Sequence, residues 1–214
     1  VGCSHRVIET DELLDAAYRA NRGDRCFHCR TELFGRLRRL GRDEGFDAIA
    51  YGAIVDDLGD VRPGMRAADD FEILAPLLDA GFTKADVRAI ATARGLAVSD
   101  KPASACLASR VPVGSEVTAL KLRQIERAEA ILKDLGFRQL RVRHHGALAR
   151  VEFDADGLAR VANGAVRARV VAGVRRAGFR RVTIDPRGYR SAGGGTIVAP
   201  DRIYSIGPAR DGGQ

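Results

Sequence analysis

The sequence predicts an α/β chain whose second part changes to a smaller α+β arrangement. Three observations predict it. Helical periodicity alternates with a short apolar run, Asp47–Ala53, in the first half. A long helical stretch in the second half is followed by two runs alternating apolar with basic residues around Gly146-Ala147. The 214 residues are 45% hydrophobic and 29% charged, enough for a packed core in one large or two small domains.

The elements follow in order. His5–Glu9 reads as a short strand, and Thr10 or Asp11 as the cap of a helix carrying Leu13, Leu14, Ala17 and Tyr18. A second helix runs from about Cys29 to Glu44, with Leu33, Phe34, Leu37 and Leu40 on one face, and Gly45 stops it. Asp47–Ala53, short and bounded by turn residues, reads as a buried parallel strand. The polar loop 56–64 then lies at the sheet edge where α/β folds bind ligands. Thr83, with Asp86 three positions on, caps a helix that Gly95 ends. Residues 100–114 have no periodicity, which in a compact domain points to a functional loop. A helix spans Thr118–Gly136, a hairpin pairs Phe137–His145 with Leu148–Phe153, a helix covers Ala165–Ala177 and a strand Arg180–Asp185. The predicted domains are 1–100 and 101–190, with a frayed Gly/Pro-rich tail over 191–214.

No apolar run approaches the roughly 18 residues of a membrane span, and no signal peptide is evident, so a cytoplasmic chain is expected. Four cysteines are too few for a disulfide scaffold. Residues 1–100 carry 14 basic and 18 acidic side chains, and residues 101–214 carry 21 and 10. The basic half points to an anionic partner or to solvated arginine faces.

Three groups can carry chemistry. Cys106 sits in the aperiodic stretch among small residues, with Lys101 and Arg110 on either side. Nearby cations favour a thiolate, although a cysteine also packs well as a small buried hydrophobe. Arg141 and Arg143 alternate on one strand and share a face, as a phosphate clamp or a solvated sheet surface requires. Asp56, Asp57 and Asp60 could hold Mg2+ beside phosphates or form an acidic turn. Cys26 and Cys29 form a CxxC without a second pair for zinc and read as a packed pair at a helix start. The glycine triplet 193–195 lacks the preceding strand that a phosphate loop needs.

The strings GDRCFHCRTELF (23–34), YGAIVDDLGDVRPG (51–64), AGFTKADVRAIATARGL (80–96), DKPASACLASRVPVG (100–114) and LGFRQLRVRHHGALARVE (135–152) resemble the LarE family. Its members are ATP-dependent sacrificial sulfur transferases of the PP-loop ATP pyrophosphatase superfamily. The resemblance runs from His5 to about Ser191. It implies a Rossmann-like PP-loop layer (adenine nucleotide alpha hydrolase-like), incomplete here, with a second smaller α+β domain. It also implies sulfur transfer to a carboxylate of pyridinium-3,5-dicarboxylate mononucleotide, adenylylated by ATP, in nickel-pincer cofactor biosynthesis for lactate racemase. By the same resemblance Cys106 is the sulfur donor, Ser109 lies near the phosphate site, Arg141 and Arg143 bind phosphate, and Glu129 is an acidic active-site residue. Arg110 joins the substrate site by adjacency. ATP and Mg2+ are the expected cofactors and a homo-oligomer the expected assembly, with neither membrane nor nucleic acid as partner. Some relatives carry sulfur on a three-cysteine [4Fe–4S] cluster. Here only Cys106 lies in the donor region, so the sacrificial route is expected.

The family's SGGxDS-like phosphate loop, which would lie upstream of the segment resembling Val1–Thr10, is not in this sequence. Val1 is the first residue and Met65 the only methionine. The expectation is therefore an N-terminally truncated chain, inactive alone, that keeps donor and substrate clamp and lacks half the ATP site. The alternatives are a tRNA-thiolating PP-loop enzyme and a degenerate nucleotide-binding or oligomerisation module.

Overall fold

The computed structural model describes residues 2–58, 63–102 and 104–189, and within them the chain forms two compact units. The first holds the chain through Ser104 together with Val113–Val117. The second holds Ala105–Pro112 and the chain from Thr118 onward. Asp60, the glycine triplet and the tail 191–214 lie outside the described residues.

The first unit is mostly helical: α1 (Ala16–Ala20), α2 (Arg25–Asp43), α3 (Pro63–Asp70), α4 (Pro76–Asp79) and α5 (Lys84–Ala93). Phe34 of α2, Ala67 and Ala68 of α3, and Ile73 are buried together, with Leu33, Leu37, Ile49, Tyr51 and Phe71 packed against them. The first expected helix is split. A 3-10 turn, Glu12–Leu14, comes first, and Asp15 rather than Thr10 or Asp11 caps α1, accepting from Ala17 N–H at 2.8 Å. Thr83 and Asp86 form the expected capping box of α5. Asn21 ends α1 in the left-handed conformation (φ 52°) and is buried. Its amide donates to Ser115 C=O (3.1 Å) and its own carbonyl accepts from Gly114 N–H (2.9 Å), which fixes 113–117 in this unit.

Two expected strands do not form. His5–Glu9 has no pairing partner, and Val7 is 83% exposed, so its alternation has no sheet face to bury. Asp47–Ala53 makes one parallel bridge, Ala50 with Leu74. A parallel ladder needs successive slanted bonds along neighbouring strands, and here the pairing stops at Tyr51 N–H to Leu74 C=O and Leu74 N–H to Ile49 C=O. Among the described residues the first unit thus has no layered parallel sheet. The chain as a whole is a mixed helix-and-sheet protein, consistent with the α/β class.

The second unit carries α6 (Ala119–Asp134), β1 (Leu140–His145), β2 (Leu148–Phe153), α7 (Ala155–Ala162), α8 (Gly164–Arg176) and β3 (Arg181–Ile184). Thr118 caps α6 through Lys121 N–H. The strands order β1-β2-β3, with β1 and β2 antiparallel and β2 and β3 parallel, as the α7–α8 crossover requires. Val142, Ala149, Val151 and Phe153 turn one sheet face inward onto Ala128 and Leu132 of α6 and Val170 and Val174 of α8. Burying such side chains contributes about 1.5–3 kcal/mol each. Gly173 permits the close crossing of α8 over α6, since a Cβ there would sit 2.7 Å from the Ile131 side chain. Helix α7 is absent from the sequence reading, although Asp154 caps it through Gly157 N–H and Leu158 and Val161 point to the core.

Candidate functional site

The site residues gather in the second unit. Cys106 is extended (φ −63°, ψ 151°), and the chain then tightens into the 3-10 turn Leu107–Arg110. Ser109 N–H donates to Cys106 C=O (3.0 Å), closing the turn beneath a cysteine that is exposed and in no disulfide. The alternative of a buried small hydrophobe is therefore not what the fold builds.

Arg110 fastens this turn from inside. Its guanidinium is buried and donates from Nε to Glu129 Oε1 (2.9 Å) and from Nη2 to Oε2 (3.2 Å). Nη1 donates to the carbonyls of Ala105 (2.7 Å) and Cys106 (3.0 Å) and to Ser109 Oγ (3.2 Å). Glu129 Oε1 also accepts from Val142 N–H (3.0 Å) on the outer edge of β1. One buried carboxylate on α6 thus joins the cysteine turn to the edge strand. A bidentate fork with its remaining donors satisfied is the arrangement that keeps a buried ion pair favourable. Arg110 and Glu129, the substrate-site arginine and the acidic active-site residue of the sequence reading, are thus engaged with one another and with the backbone of the cysteine turn.

The opposite face of the sheet is polar. Arg141 and Arg143 of β1 share it, as strand alternation dictates, and the register sets Glu152 across from Arg141 and Arg150 across from Arg143. Arg143 Nε donates to Glu152 Oε1 (3.0 Å) and Nη1 to Ser109 C=O (3.0 Å), so this face reaches the cysteine turn directly. Arg141 is buried, with its guanidinium 4.5 Å from the Tyr189 ring. Burial is the main cause lowering its pKa, and Arg143 and Arg110 add to it. The turn that delivers Tyr189 depends on Gly188 (φ 74°), where a Cβ would meet Phe153 C=O at 3.0 Å. Asp185, buried at the end of β3, accepts from Arg187 Nε and Nη2 (3.1 and 3.3 Å) and lies 3.7 Å from Arg150 Nε.

The remaining candidates lie in the first unit and are held by local structure. Asp56 accepts from Lys84 N–H (2.8 Å) and Asp57 from Ile54 N–H (3.1 Å), so both carboxylates shape turns. Among the described residues no group of three His, Cys, Asp or Glu side chains is placed to hold a metal ion. Cys26 is exposed and Cys29 partly buried in the first turns of α2, which starts at Arg25 rather than at about Cys29. His28, between the two cysteines, lies 3.3 Å from Asp15 and 3.4 Å from Asp24.

No family model matches the chain. It is 35% identical over 192 residues to the pyridinium-3,5-bisthiocarboxylic acid mononucleotide synthase of Lactiplantibacillus plantarum, covering 89% of this chain and 68% of the relative. It belongs to the LarE family. Other relatives are an uncharacterized protein of Synechocystis sp. (37% over 191 residues, 89% of this chain and 71% of the relative) and one of Methanocaldococcus jannaschii (29% over 186 residues, 87% and 70%).

In this LarE-family chain the fold brings Cys106, Ser109, Arg110, Glu129, Arg141 and Arg143 into one unit. Reasoning from sequence missed Glu152, Arg150, Asp185 and Tyr189. Glu152 was visible as a polar alternate position in LARVEF, but its burial opposite Arg141 follows only from the hairpin register. Much of the basic excess lies elsewhere. Between 157 and 184 there are seven arginines and no acid, and Arg167, Arg169, Arg175, Arg176, Arg180 and Arg181 are exposed on α8 and the approach to β3. No helix among the described residues is long and apolar enough to cross a membrane.

Proposed function

We propose that this chain carries the sulfur-donor and substrate-binding machinery for ATP-dependent sulfur transfer to a pyridinium-3,5-dicarboxylate mononucleotide. In the reading that the family resemblance gives, a substrate carboxylate oxygen attacks the α-phosphorus of ATP and pyrophosphate leaves. The Cys106 thiolate attacks the resulting acyl adenylate and AMP leaves. Loss of the Cα proton of Cys106 with cleavage of its Cβ–Sγ bond then leaves sulfur on the substrate as a thiocarboxylate and dehydroalanine in the chain. Mg2+, which would accompany ATP and shield its phosphates, has no assigned ligands here.

The observation that supports this reading most is the exposed Cys106 on a turn that Arg143, from the arginine face, also holds. A nucleophile beside a cationic face is the arrangement that a mononucleotide thiolation needs. Arg141 and Arg143 bind the phosphate in this reading. Arg110 and Glu129 act as positioning residues, holding the carbonyls on either side of the Cys106 side chain. Ser109 sets the turn through its amide and lines the phosphate side.

The test is mass spectrometry of the protein after turnover with ATP and substrate, in an assay where product forms. Cys106 should lose one sulfur and two hydrogens, and Cys106→Ala should make no thiocarboxylate. An intact Cys106 thiol in protein that has made stoichiometric product overturns the sacrificial route.

A further inference from the structure

Arg150 lies on the polar face of the sheet and has no role in the reading above. Arg150 and Arg143 face one another across the hairpin. Like charges directly opposite are unfavourable unless something lies between them. Here a single oxygen, Glu152 Oε1, accepts from both, at 3.0 Å from Arg143 and 3.3 Å from Arg150. The other oxygen, Oε2, is buried and accepts from neither arginine. Asp185 lies 3.7 Å from Arg150, but both its oxygens already accept from Arg187. Arg143 and Arg150 thus lean on one carboxylate oxygen, and Arg150 Nε is buried without a hydrogen-bond partner. The side chains of Arg143 and Arg150 keep 24% and 27% of their surface open to solvent, so an incoming anion can reach both.

A phosphate monoester carries about 1.5–2 negative charges near pH 7 and offers three acceptor oxygens. That suits two facing guanidiniums that share a single carboxylate oxygen, with a donor of Arg150 left over. We infer that Arg150 is a third cation of the phosphate subsite and makes it selective for a dianionic phosphate monoester. The inference rests on the reading of Arg141 and Arg143 as phosphate ligands. Glu152 then sets the spacing of the two facing guanidiniums before the ligand arrives, and Arg150 reaches the phosphate from the second strand while Arg143 reaches it from the first.

The experiment is calorimetric titration of the full chain, as wild type, Arg150→Gln, Arg150→Lys and Arg141→Gln. The probes are nicotinic acid mononucleotide and the nucleoside lacking its phosphate. Arg150→Gln should weaken nucleotide binding about tenfold and leave nucleoside binding unchanged, and Arg150→Lys should recover part of the loss. Wild-type affinity for the nucleotide should rise as pH passes upward through about 6, where the second phosphate proton leaves, and Arg150→Gln should flatten that rise. Equal weakening of both ligands, or no change in either, overturns the assignment. Arg141→Gln separates the two failures. If it lowers the nucleotide-to-nucleoside preference and Arg150→Gln does not, the role of Arg150 alone falls. If neither variant lowers it, the phosphate clamp itself falls.

Discussion

Arg110 with Glu129 and the arginine face of the sheet lie in the same unit and use the same side-chain chemistry in opposite ways. Arg110 meets one carboxylate with two nitrogens and gives its third to the carbonyls and hydroxyl of the cysteine turn. Arg143 and Arg150 divide one carboxylate oxygen and stay partly open to solvent. The number of carboxylate oxygens per guanidinium therefore separates an arginine held wholly inside the fold from two that keep part of their surface in solvent. Adjacency in sequence carries no mark of this, since Arg110 follows Ser109 directly and faces inward.

The comparison is broken most sharply at the buried pair. Glu129→Ala leaves a buried guanidinium without its partner and should destabilise the second unit by about 3–5 kcal/mol. The double change Arg110→Met with Glu129→Leu should cost less than Glu129→Ala alone, because it removes both charges. Urea denaturation of the wild type and the two variants checks this, and a loss in the double variant as large as that of Glu129→Ala would mean that the pair is not the fastener described. On the sheet face the ranking reverses. Arg143→Gln should weaken mononucleotide binding by about tenfold to a hundredfold. Its half-open guanidinium should move the denaturation midpoint far less than Glu129→Ala does. A stability loss as large as that of Glu129→Ala would erase the distinction between the two clusters.

The smallest effect concerns pH and the inward face of β1. His144 is buried, with Nε2 3.1 Å from Gln124 Oε1, and burial first, then Lys121, lowers its pKa from 6.5. Below pH 6.5 the unfolded chain therefore binds a proton that the fold resists. Stability from the neutral imidazole is complete above that pH and falls as pH drops toward the folded-state value. His144→Gln should flatten the stability curve between pH 6.5 and 5. An unchanged slope would assign the acid sensitivity to other groups.

What could be read from sequence follows the range of the forces involved. The Thr83–Asp86 capping box and the Gly146-Ala147 hairpin depend on residues a few positions apart, and both appear in the structure. Cys106 stood out because its neighbours are small and aperiodic. The pairing of Arg110 with Glu129 joins residues 19 positions apart, on a turn and a helix, and neither carries a local mark of it. Glu152 became a site residue only once the register set it opposite Arg141. The strands expected at His5–Glu9 and Asp47–Ala53 failed for the same reason, since apolar content makes a strand possible and only a neighbour makes it a sheet.

The path of the backbone around Cys106 has a consequence for dissecting the protein. The chain passes into the second unit at Ala105, returns to the first at Val113 and leaves it again after Val117. The cysteine turn is thus stitched in at both ends, and no single cut leaves both units whole. A fragment ending at Ser104 gives up the strap that Asn21 grips, and one beginning at Thr118 gives up Cys106 together with the arginine that neutralises Glu129. Split versions of this chain will have to carry one of these short segments twice.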